Sequence, residues 1–276
     1  MWKALSAVIL LFSAVGCGGN RLADEPAETL SIGTIPLSME FESIPGGTFV
    51  MGSPEDEPGR SDNEGPMIEV AIEPFELLST PVTWDMWNEV MGDDSRIPDP
   101  PDGVTGEHPV TGVTWTDTWR FLERLHRMDP EHFYGLPGEA QWEYACRAGT
   151  STAFFWGESD DPGVVGRYCW YWENSEGSTQ AVGVLEPNPW GLYDMNGNVL
   201  EWCHDTWADN YETTPVDGSC RESSMIPFRV ARGGSAEKEI DEWIVKLMKY
   251  DLQRKSSLTD FECVQSELSL SFRKLV

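Results

Sequence analysis

From Met39 onward apolar and polar positions alternate. Phe41 and Ile44, then Thr48 to Met51, flank Pro45-Gly46-Gly47, a pattern that predicts two strands joined as a hairpin. Glu55 to Pro66 is polar and carries Pro and Gly, as a loop does, and Ile68 to Ile72 alternates again as a strand. After Thr83, Trp84, Trp87 and Val90 recur at helical spacing. Asp93 to Glu107 reads as a second polar loop. The clearest helix opens at Thr114: Trp115, Trp119, Leu122 and Leu125 share a face, and Asp117 stands where a capping box places an acid. A third helix is predicted from Glu139 to Arg147, stopped by Gly149. Residues 150–220 are dominated by Gly, Pro, Asn, Asp and Trp, and long loops of that kind are functional or pinned by ions. Two or three helices, scattered strands and much ordered loop make an α+β domain.

The N-terminus follows a different rule. Lys3 is followed by an apolar run, Ala4 to Val15, too short to span a bilayer as a helix. Ala14-Val15-Gly16-Cys17 then resembles a lipobox, with Ala14 where Leu is usual. Residues 1–16 are thus expected to be a lipoprotein signal peptide. Cys17 is the lipidation site, residues 17–38 are a flexible tether, and the mature protein is exported and membrane-anchored at the cell envelope. The plain alternative is a secretory signal with an incidental Cys.

Composition narrows the partners. Acidic residues number 47 against 19 basic, a net charge of -28, which repels nucleic acid and anionic headgroups. The lipid bilayer is therefore expected as a partner only through the acylated N-terminus. Thirteen Trp provide ample core volume. Beyond Cys17, five cysteines remain (Cys146, Cys169, Cys203, Cys220 and Cys263), so at least one has no partner within the chain, and no CxxC spacing points to zinc. His108, His126, His132 and His204 are scattered without metal-binding spacing. Trp115, Trp142, Trp190 and Trp202 read as core. Trp170 and Trp172, flanked by Tyr168 and Tyr171 in a loop, also read first as core packing, with an exposed platform for a protein or glycan ligand as the alternative.

Six phrases, in order, resemble the formylglycine-generating enzyme (sulfatase-modifying factor) family. They are Ile44 to Gly52, Pro81-Val82-Thr83, His108-Pro109-Val110 with Val113-Thr114-Trp115, Leu136 to Ala145, Asn188 to Trp202, and Arg232-Gly233-Gly234-Ser235. The resemblance implies a loop-rich elaboration of the C-type-lectin fold over residues 39–235. It implies a calcium site made by the side chains of Asp194 and Glu201 and the carbonyls of Gly197 and Val199, a donor set that suits calcium. A second implied site uses Asn174, where the family has Asp, and the Glu176 carbonyl. The family's oxidases carry two copper-binding cysteines three and eight residues after the Gly-Gly-Ser phrase. Here those lost catalytic positions are Lys238 and Trp243, neither of which offers a thiolate, so no copper is expected. Residues 236–276 form a divergent C-terminal segment in which Ile240, Trp243, Ile244, Leu247 and Met248 recur as on an amphipathic helix. The sequence thus favours a non-catalytic, membrane-anchored binding or accessory module. The alternatives are an oxidase acting on a sulfatase cysteine, and an inactive product whose C-terminus was scrambled by a frameshift.

Overall fold

The computed structural model describes residues 38–57, 60–92, 100–236, 248–251 and 270–271. Two strand pairs form its N-terminal part. Strand β1 (Phe41–Ile44) runs antiparallel to β4 (Phe75–Leu78), and β2 (Gly47–Met51) to β3 (Ile68–Ile72). This corrects the hairpin predicted across Pro45-Gly46-Gly47: β1 and β2 each pair with a returning strand and not with each other. The chain instead turns a corner where Gly46 crosses the β3–β4 link. A Cβ on Gly46 would lie 2.8 Å from Pro74 Cδ, so only glycine allows the crossing.

Three helices follow the predicted spans closely. Helix α1 (Trp84–Met91) is capped by Thr83, whose hydroxyl accepts from the Met86 amide. Helix α2 (Trp115–Met128) starts with the predicted capping box. Asp117 donates its amide to the Thr114 hydroxyl at 3.2 Å, and its carboxylate accepts from the Thr114 amide at 3.0 Å. The two helices meet through a stacked Trp87–Phe121 pair at 5.2 Å, and Leu122 and Leu125 are buried beside it. Trp115 and Trp119 are only partly buried and pack on the edge of this core.

Helix α3 (Glu139–Arg147) is central to the second core, where Trp142 and Ala145 pack among Met51, Val70, Met195 and Val230. Its N-cap Gly138 has no side chain to offer, and the carboxylate of Asp205 accepts from the Glu139 amide at 2.8 Å instead. Two one-turn helices, α4 (Pro162–Val165) and α5 (Trp172–Ser175), interrupt the long loop region.

The C-terminal sheet has the order β7-β6-β5-β8. Strands β5 (Leu200–Thr206), β6 (Phe228–Gly233) and β7 (Met248–Asp251) pair antiparallel, and β8 (Leu270–Ser271) lies parallel to β5. Met248 is therefore strand, paired with Ala231, and not the end of an amphipathic helix. The rest of that predicted helix, Ile240 to Leu247, lies outside the described residues, as do Cys17, Lys238, Trp243 and Cys263. The result is a loop-rich α+β fold, and no helix among the described residues is long and apolar enough to cross a membrane.

Candidate functional site

The phrase Asn188 to Trp202 is a tightly tied loop running into β5. Asn188 is buried and pins the loop to α3: its amide nitrogen donates to the Ala145 carbonyl at 2.8 Å and its oxygen accepts from the Trp190 amide at 2.9 Å. Farther on, Asp194 and Asn198 both adopt positive φ, at 57° and 65°. Between them, Gly197 presses against the backbone at Trp170, where a Cβ would stand 2.5 Å from the carbonyl oxygen. Asn198 is fully buried and exchanges two hydrogen bonds with the backbone of Gln180, at 2.9 and 3.0 Å.

Four of the predicted calcium ligands, Asp194, Gly197, Val199 and Glu201, belong to this one loop. Asp194 is 4 % exposed and accepts from the Gly183 amide at 2.9 Å; Glu201 is 1 % exposed and accepts from the Trp142 indole at 2.9 Å. Buried carboxylates and turn carbonyls are hard oxygen donors, and their chemistry suits calcium. The remaining two predicted ligands sit on the neighbouring loop. The Asn174 oxygen accepts from the Tyr171 amide at 2.8 Å, and its nitrogen donates to the Cys169 carbonyl at 2.8 Å, so this side chain already caps α5. Glu176 is exposed at the end of α5 with φ 55°. Among the described residues no three carboxylate, imidazole or thiol groups converge as a metal cluster. A cation in the first loop would thus depend on backbone carbonyls.

A second cluster escaped sequence reasoning. Arg232 is 2 % exposed, its guanidinium bonds Glu143 and lies 3.8 Å from Glu139, and it stands 5.3 Å over the Trp142 ring. Trp142 is thereby held between Arg232 on its face and Glu201 on its indole nitrogen. Glu143 also accepts from the Gly52 amide at 2.9 Å and from Arg147 at 3.0 Å, while Tyr211 donates to Glu139 at 3.0 Å. Burial pushes the Glu139 carboxyl up to about 7 even though Arg232 opposes it. Burial raises Glu143 too, but Arg232 and Arg147 outweigh it and hold that carboxyl below its ordinary value. The glutamates recur one helical turn apart on α3, and all three residues lie in the phrases shared with the family; nothing in the sequence joined Arg232, almost ninety residues away, to them. The adjoining cavity is about 30 Å³, room for a water molecule or two and not for a peptide side chain.

The four cysteines among the described residues carry no disulfide. Burial pushes the Cys146 thiol up to about 12 and those of Cys169 and Cys203 well above the ordinary range, and it raises Cys220 as well. Burial favours the neutral thiol at each of them, as in packed core cysteines. Cys146 donates to the Asn196 side chain at 3.5 Å, which ties α3 to the same loop.

The remaining candidates fall out by burial. Trp142 and Trp202 are core, and Trp115 and Trp190 pack at its edge. Trp172 stands 49 % exposed, while Tyr171 is buried. His204 lies edge-on to Trp115 and Trp119 and pairs with Glu222 at 2.6 Å.

Comparison with known proteins places this arrangement. Residues 37–257 match the sulfatase-modifying factor enzyme 1-like domain. The formylglycine-generating enzyme of Thermomonospora curvata is 28 % identical over 261 residues, covering 70 % of this chain and 81 % of the relative. The serine/threonine-protein kinase pkn1 of Chlamydia caviae is 31 % identical over 72 % of this chain, which spans only 33 % of that relative. Among solved structures, PvdO from Pseudomonas aeruginosa is similar with a TM-score of 0.73 at 24 % identity, covering 92 % of this chain and 99 % of that one.

Proposed function

This chain belongs to the sulfatase-modifying factor enzyme 1-like family, and from that premise we propose that it is a non-catalytic, membrane-anchored binding or accessory module. One observation carries the reading. Lys238 and Trp243 stand at the two positions where the family's oxidases hold copper with cysteines. Amine and indole groups are poor partners for a soft cation. Cys146, Cys169 and Cys203 are buried, and among the described residues no group of three metal-binding side chains gathers around them. The amine and the indole at those two positions do not fit copper.

In this reading the scaffold is kept for its shape. Asp194 and Glu201, with the carbonyls of Gly197 and Val199, would hold one calcium ion as a clasp on the 188–202 loop; Asn174 and the Glu176 carbonyl would contribute to a weaker second site. Acylated Cys17 would fix the domain to the bilayer through the tether of residues 17–38. A protein or glycan ligand would meet the exposed loops.

The likeness to named formylglycine-generating enzymes supports one rival reading, an oxidase in which Cys263 and another thiol form a new pair. Copper(I) titration of the full chain against a chromophoric chelator separates the two. A non-catalytic module leaves the chelator loaded. Stoichiometric transfer of copper to the protein, abolished by Cys263→Ser, would establish the rival.

A further inference from the structure

Trp172 is the one tryptophan among the described residues that is more than one-third exposed. Its position is built. A Cβ on Gly177, whose φ is +67°, would lie 2.3 Å from ring atom Cζ3 and 2.6 Å from Cε3, so the indole rests directly on a backbone that only glycine can provide. One part of the ring is thus seated on the loop, and 49 % of the residue faces solvent. Its chain neighbour Glu173, and Glu176 beside the glycine seat, are both exposed.

The same loop region already shows how it takes a cation. The guanidinium of Arg167 stands 5.1 Å over the Tyr168 ring and is clasped by both oxygens of Glu186, at 3.0 and 2.8 Å. Trp172 presents an exposed ring, and exposed glutamates follow it in the chain at Glu173 and Glu176. Among the described residues no arginine or lysine lies over it. Tryptophan is also the strongest of the aromatic cation acceptors.

We propose that the outer face of Trp172, with Glu173 and Glu176 beside it, receives an arginine or lysine side chain of a basic partner protein. The inference deepens the binding-module reading and rests on it. The net charge of -28 raises the local concentration of such a partner and orients it. Exposed carboxylates at Glu173 and Glu176 would favour a cation over a neutral sugar.

The test is a titration of the full chain with N-acetylarginine amide, followed by NMR on the indole N–H signals. The signal missing from Trp172→Ala identifies the ring. It should shift saturably with the arginine probe and stay still with N-acetylcitrulline amide, which has the same shape without the charge. Glu173→Gln/Glu176→Gln should keep the signal and weaken the apparent Kd about two- to fivefold. The proposal is overturned if the Trp172 signal is silent to arginine or moves equally with citrulline. It is also overturned if a methyl glycoside moves that signal in place of the cation. Copper uptake by paired thiols would remove the binding-module reading itself, whereas a silent indole removes only this one.

Discussion

Glu139 shows what a single buried carboxyl does to this protein. Its pKa of about 7 in the folded chain exceeds the ordinary value of 4.5, so on raising the pH the unfolded chain ionises first. Stability therefore falls between about pH 4.5 and pH 7 and levels off above, by on the order of 3 kcal/mol. Asp205, raised by burial as well, acts in the same direction from its own ordinary value of 3.8 upward. Glu143, held low, acts in the opposite sense and only on the acid side, where stability is lost as the pH drops below the ordinary carboxyl range. Glu139→Gln should flatten the slope between pH 5 and pH 7.5 in urea denaturation while leaving the acid-side loss in place. An unchanged slope would mean that the carboxyl between Tyr211 and Arg232 is not protonated by burial. Gly197 makes a steric case of the same kind. Gly197→Ala puts a methyl 2.5 Å from the Trp170 carbonyl, and the forced backbone shift should cost about 1–3 kcal/mol, read as a lower denaturant midpoint.

At the scale of elements, helix α3 depends on a cap supplied from strand β5. Asp205 accepts from the Glu139 amide and, with its other oxygen, from the Arg221 amide at 2.9 Å, so it ties helix, strand and loop together. Asp205→Ala leaves the buried Glu139 amide and the half-buried Arg221 amide without this partner and should destabilise by about 1–3 kcal/mol. Restoring a hydroxyl locally with Gly138→Thr is expected to cost stability too, because a Cβ there meets Cys220 Sγ at 3.0 Å. Equal midpoints for Asp205→Ala and the parent chain would refute the cap. What the sequence made legible follows the range of the interaction. Thr114 and Asp117 lie three residues apart and declared the start of α2; the spacing of Trp84, Trp87 and Val90 declared α1. Alternation identified β1, β2 and β3 as strands but said nothing of partners, because either face pairs equally well until the rest of the sheet is known. The hairpin expectation failed at that point.

For the whole molecule, the family phrases located the 188–202 loop, and the structure supplies its ties to α3 and to the backbone at Trp170 and Gln180. Arg232 and its glutamates stayed illegible because a buried ion cluster joins chain segments with no periodic relation. The proposed calcium clasp on Asp194 and Glu201 would add stability through mass action, so on that proposal the full chain should melt several degrees lower with a chelator than with millimolar calcium. Asp194→Asn should melt at the same temperature in both conditions. Identical melting of the parent chain with and without calcium would remove the ion from the account. The central claim, a retained scaffold without its oxidising metal centre, is tested most directly by turnover. The full chain is incubated with a peptide carrying Cys-x-Pro-x-Arg, copper and oxygen, and any aldehyde is captured with a hydrazide probe. A scaffold without the oxidising centre yields no labelled peptide above a protein-free control. Aldehyde that accumulates catalytically and vanishes with Cys263→Ser would contradict that claim.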